Sequence, residues 1–68
     1  MKDEVRAFLK EYGDNFKKLR YMANLRQVDV AAQIRCSQAI ISHIECGYML
    51  PPHHIEEALL QLYKKYEN

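Results

Sequence analysis

QVDVAAQIRCSQAIISHIECG, residues 27–47, holds two short runs with apolar residues at helical spacing, joined by three residues of another kind. Val30, Ala31 and Ile34 mark one face of the first run, and Ile41 and Ile44 one face of the second. Ser37 is an N-cap residue for the second run, and Glu45 with Gly47 closes it. "RCS" is therefore the whole connection, and two short helices joined by about three residues is the helix-turn-helix layout.

The second run has an unusual outward face. At about 100° per residue from Gln38, the two isoleucines lie near 270°. Ala39, Ser42 and His43 lie on the opposite side, and Gln38 stands at the N-terminal end. Ile40 lies on the flank, either as core edge or as an apolar contact. The outward face has no Lys, Arg or Glu, the usual choice for a solvated surface. It suits the floor of a major groove. There Gln pairs bidentately with adenine, Ala meets a thymine methyl, Ser donates or accepts, and His donates to guanine.

The flanking sequence completes an all-α chain with no strand-like alternation. Residues 3–12 place Val5, Phe8, Leu9 and Tyr12 on one face, with Asp3 as cap and Gly13 as terminator. A second segment starts at Asp14, carries Phe16, Leu19 and Ala23 inward, and ends at Asn24, which tolerates positive φ. The third, 27–34, has Arg26 at its N-cap position, a poor capping residue. After the loop "YMLPP", residues 53–66 carry Ile55, Ala58, Leu59, Leu62, Tyr63 and Tyr66 as one amphipathic helix. Five short helices in a single domain over residues 1–68, with the motif at about 27–45, is the expected architecture.

"NLRQVDVAAQIRCSQAIISHIECGYMLP", Asn24 to Pro51, resembles the Cro/phage-repressor (XRE) helix-turn-helix family. Its pattern is matched without a gap at Arg20, Leu25, Gln27, Ala31, Ser37, Ile41, Ser42, Ile44, Glu45, Gly47 and Pro51. Val30, Ile34 and Cys36 stand as apolar replacements. The match covers nearly half the chain, and the preceding and last helices fit the family's arrangement. Three positions depart from it. Asn24 replaces a glycine, Arg26 a capping Ser or Thr, and Arg35 the glycine of the turn, at a cost of about 1 kcal/mol if φ is positive.

The resemblance implies a lambda-repressor-like DNA-binding domain with an additional N-terminal helix. The outward face itself makes Gln38, Ala39, Ser42 and His43 the base-contact candidates, and the resemblance implies that Gln27 binds a phosphate with its side chain and helix N-terminus. Arg26, Arg35 and Lys17 are further phosphate candidates, with Lys18 behind them. Arg20 is another, although the family gives this arginine a structural ion pair, for which Glu45 matches the partner.

Composition bounds the alternatives. The chain has 68 residues, is 49% hydrophobic and 28% charged, and is near the lower limit for a single core. No apolar run approaches the ~20 residues of a membrane span, and the charged N-terminus does not resemble a secretory leader. A cytoplasmic protein is expected. The net charge of +1 is weak evidence for a polyanionic partner, but residues 15–50 carry five bases against two acids while both ends are acid-rich.

Cys36 and Cys46 sit at opposite ends of one expected helix, roughly 13–15 Å apart. A disulfide needs Cα atoms within about 7 Å, so reduced, partly buried thiols are expected. His43, Cys46, His53 and His54 match no zinc spacing, and no catalytic constellation is apparent. The expectation is therefore no enzyme, no metal, no cofactor and no small-molecule substrate.

The chain is thus expected to be a sequence-specific transcriptional regulator, repressor-like, from a bacterium, phage or mobile element. It would insert helix 38–45 into the major groove of a double-stranded operator as a homodimer. Tyr48, Met49 and Leu50 are dimer-interface candidates, with a terminal helix as the alternative. The competing expectation is a helix-turn-helix module used for protein interaction, as an antirepressor, antitoxin or partner-binding subunit. The low net charge and the apolar loop favour it.

Overall fold

The computed structural model describes residues 3–67 of the chain. Four helices follow one another: α1 (Asp3–Met22), α2 (Gln27–Ile34), α3 (Gln38–Glu45) and α4 (His53–Lys64). No strand occurs among the described residues. No helix there is long and apolar enough to cross a membrane.

The five expected helices are four, because the first two are one. α1 runs 20 residues straight through Gly13 and Asp14. Gly13 is buried at the crossing of α1 with the end of α3. A Cβ on it would collide with the backbone carbonyl of Ile44 and lie 2.8 Å from that of Glu45. The glycine is there for close approach, not for termination. Nor does Asp3 cap the helix from outside. It lies in the first turn with Glu4, where both carboxylates face the positive end of the helix dipole.

Three helix ends use a left-handed residue to turn the chain. Asn24 and Arg35 both have φ 60°, and Gly47 has φ 80°. Past α1, Asn24 N–H donates to Tyr21 O and Leu25 N–H to Arg20 O. Past α3, Gly47 N–H donates to Ile44 O and Tyr48 N–H to His43 O, the paired closure that satisfies otherwise orphaned carbonyls. Gly47 also lies against α1, where a Cβ would come within 2.8 Å of Lys10 Cα.

The core is built from Phe16 of α1, Val30 and Ala31 of α2, Ile41 and Ile44 of α3, and Ile55, Leu59, Leu62 and Tyr63 of α4. Leu25, Ile34, Cys36, Ile40 and Met49 pack against it while remaining partly exposed. Two expected inward faces are shorter than the periodicity suggests. Val5 and Phe8 are exposed on α1. α4 ends at Lys64, its last amides bonding three residues back, and Tyr66 is exposed.

Both cysteines are free thiols. Cys36 is half-buried, and loss of solvent raises its thiol pKa. Cys46 is exposed, contrary to the partly buried thiol expected there, because it follows α3 on the side away from Ile41 and Ile44.

Candidate functional site

α3 is anchored at both ends by side-chain bonds. At its start the Ser37 hydroxyl accepts from Ile40 N–H at 3.3 Å, the N-cap interaction expected from the sequence. At its end Glu45 is 2% exposed and bound to Arg20 of α1, itself 6% exposed. Arg20 Nε donates to Glu45 Oε2 at 2.7 Å, and Nη2 donates to Oε1 at 2.9 Å. The Arg20 Nη1 group donates to Leu25 O at 2.9 Å, across the turn after α1. Arg20 is thus occupied inside the protein, and Glu45 holds its guanidinium pKa above the ordinary value.

The rotation of α3 follows from its isoleucines. Ile41 and Ile44 are each 1% exposed. Gln38, Ala39 and His43 are exposed, Ser42 is half-buried, and Ile40 is core edge. The four residues expected to contact bases therefore share one uncharged outward ridge.

The ridge is wired to the buried ion pair. Gln27, half-buried at the start of α2, donates from Nε2 to Glu45 Oε1 at 3.1 Å. Its Oε1 accepts from Gln38 Nε2 at a longer 3.4 Å. Gln38 is thereby oriented from below while its side chain remains exposed. The phosphate candidate Gln27 and the base candidate Gln38 are brought together. This contact between α2 and α3 depends on how the helices cross, and spacing along the chain carries no sign of it.

His43 has a neighbour that sequence reasoning did not assign. The Tyr48 ring lies 5.7 Å from the imidazole, tilted by 55°. Gly47, in its left-handed conformation, folds Tyr48 back over the last turn of α3. A glycine two positions past a helix is the signal that could have found the pair, since the left-handed closure brings these positions together.

The cationic rim is uneven. Arg35 is exposed in the turn between α2 and α3. Arg26 is exposed but paired, its Nε and Nη2 each donating to the Asp29 carboxylate at 3.0 Å. Asp29 also accepts the Arg26 backbone N–H at 2.9 Å, which compensates for the missing cap side chain at the start of α2. This pairing holds the Asp29 carboxyl pKa below its ordinary range. Lys17 is half-buried on α1 and Lys18 exposed. Of the dimer candidates in the loop, Tyr48 and Leu50 are exposed, whereas Met49 packs against the core.

No cluster of three or more His, Cys, Asp or Glu able to hold a metal occurs among the described residues. Comparison with protein-family models, curated proteins and solved structures finds no match to this chain.

Proposed function

We propose that this chain is a small duplex-DNA-binding transcriptional regulator of the Cro/phage-repressor (XRE) type, with a lambda-repressor-like arrangement of its helices. α3 enters the major groove, and two copies act together on a palindromic operator. Gln38, Ala39, Ser42 and His43 meet base edges. Arg35, Lys17 and the N-terminus of α2 at Gln27 meet phosphates, and Arg26 joins them by sharing its guanidinium with Asp29.

One observation carries this reading: the uncharged, small-residue ridge of α3 over a fully buried isoleucine pair. A ridge solely for solvent contact would have no need of Gln and His at its reading positions. The Gln27–Gln38 contact adds support, because a side chain aimed from below loses less freedom on binding a base.

Selection of bound duplexes from a random pool tests the proposal. The expected result is enrichment of inverted half-sites spaced about one helical turn, ~34 Å, or a multiple apart. Affinity should fall steeply with salt. Gln38→Ala should cost about 1–3 kcal/mol and relax specificity at one base pair.

The protein-interaction module is the second reading. The exposed Tyr48 and Leu50 beside α3, with the low net charge, favour it. A pool that enriches no sequence at low salt would decide for it.

A further inference from the structure

α1 carries a second line of residues that its own fold covers only in part: Tyr12 and Leu19 touch the core, while Val5, Phe8 and Met22 stay exposed. Val5, Phe8, Tyr12, Asn15, Leu19 and Met22 step along the helix by three and four residues in alternation. This is the heptad spacing of a coiled-coil seam. It lies about 100° around α1 from the buried line of Gly13, Phe16 and Arg20. Val5 is 44% exposed, Phe8 57% and Met22 80%. Asn15 is exposed, and Tyr12 and Leu19 are half-buried. Beside the seam an apolar groove runs along Tyr12, Phe16 and Leu19 to Leu60 of α4, which is also exposed.

We infer that this seam is the interface with a second copy of the chain, with the two α1 helices packed antiparallel about a two-fold axis. The charges beside the seam select that direction. Glu4, Glu11 and Lys18 occupy one flank, all exposed. In the antiparallel register that overlaps nearly the whole helix, Val5 meets Met22 of the second copy, Phe8 meets Leu19, and Tyr12 meets Asn15. Glu11 then stands opposite Lys18 of the second copy, and by symmetry the pair occurs twice. A parallel arrangement leaves these charges without opposite partners, because the other flank is uncharged: Leu9 is half-buried and Phe16 lies in the chain's own core.

The central layers are polar. The Asn15 carboxamide faces the Tyr12 hydroxyl of the second copy, twice, which gives both a hydrogen-bond partner. A polar residue inside an otherwise apolar seam fixes register, since slipping by one heptad would place the amide against a hydrocarbon side chain. The surface supplies the second copy that the duplex-binding reading calls for. It rests on that reading for its purpose and on the heptad and its charges for its chemistry.

Sedimentation of the full chain over a range of concentrations tests the inference, with circular dichroism to confirm that each variant is folded. The expected result is a reversible dimer. Phe8→Glu should weaken it about 100-fold or more, with helicity retained. Met22→Glu, at the most exposed apolar seam position, should do the same if Phe8→Glu perturbs the helix. Glu11→Lys and Lys18→Glu should each weaken the dimer about tenfold, since two attractive pairs become repulsive. The double reversal should return it to within about threefold of the parent.

A chain that remains monomeric at millimolar concentration would overturn the inference. So would a dimer indifferent to the seam variants, or a double reversal as weak as the singles. A monomer that still selects a duplex sequence would sink the seam and leave the DNA reading in place. A seam-dependent dimer that binds no duplex would do the reverse.

Discussion

Arg20 and Glu45 lie 25 positions apart in the chain and form a two-pronged ion pair, with contacts of 2.7 and 2.9 Å, that ties α1 to the end of α3. Both side chains are buried, and Glu45 also accepts from Gln27. The pair therefore sets where the outward ridge of α3 sits. Removing one partner strands a charge in the core. Glu45→Ala should cost about 3–5 kcal/mol, much of the total stability expected for 68 residues at ~0.05–0.15 kcal/mol each. Replacing both partners, as Arg20→Met with Glu45→Leu, should recover most of that loss. Urea denaturation of the parent and the two variants checks this. A double variant no more stable than the single would mean that the ion pair outperforms apolar packing here.

The same crossing makes a prediction at Gly13 that helix propensity would reverse in sign. In an isolated helix, Gly→Ala stabilises by about 1 kcal/mol. Here the added methyl meets the Ile44 and Glu45 carbonyls, which are fixed backbone rather than yielding side chains. Overpacking of this kind costs about 1–3 kcal/mol. α1 would have to lift from α3, and the Arg20–Glu45 bonds would lengthen with it. Gly13→Ala is expected to be net destabilising in thermal or urea melts; a gain in stability would show that the helices separate at little cost.

Tyr63 links stability to alkaline pH. It is buried, and its hydroxyl has no hydrogen-bond partner among the described residues. Burial, reinforced by the negative charge of Glu45, pushes its pKa up to about 12. The unfolded chain ionises this group near 10. Folding therefore holds it protonated, and that contribution is complete below about pH 10 and lost as pH rises toward 12, on the order of 1–3 kcal/mol in all. Tyr63→Phe should be neutral or slightly stabilising at pH 7, since no bond is broken. Its advantage over the parent should then widen between pH 10 and 12. Thermal melts across that range check the slope; parallel curves for the two proteins would refute the buried, protonated phenol.

Much of this architecture was legible in the sequence because it is local. The apolar periods of α2, α3 and most of α4 place those helices, and Ser37 and Gly47 mark the ends of α3. The same locality accounts for the helix break that the sequence suggests between residues 12 and 14 and that α1 does not have. Gly followed by Asp is what a helix end looks like locally, and only the approach of α3 shows why glycine is needed mid-helix. The outward ridge at Gln38, Ala39, Ser42 and His43 follows from rotation about one axis, which two isoleucines fix. The Gln27–Gln38 contact and the Tyr48 ring beside His43 depend on a crossing angle and on one left-handed residue, and no periodicity encodes either. The seam on α1 lay in the sequence too, hidden because Val5, Phe8 and Tyr12 also read as an ordinary inward face.

Arg35 separates stability from binding in a single substitution. Its φ of 60° is a conformation that glycine adopts freely and arginine does not. No intramolecular hydrogen bond of its side chain is found among the described residues to offset that strain. Arg35→Gly should therefore raise stability by about 1 kcal/mol, partly offset by the greater freedom of glycine in the unfolded chain. If the guanidinium meets a phosphate, the same variant should bind every duplex more weakly by a similar factor, with a salt slope shallower by about one. A more stable protein with uniformly weaker, less salt-dependent binding is the expected outcome. A loss confined to particular sequences would assign Arg35 to a base edge instead, and unchanged affinity would leave the turn without a role in duplex contact.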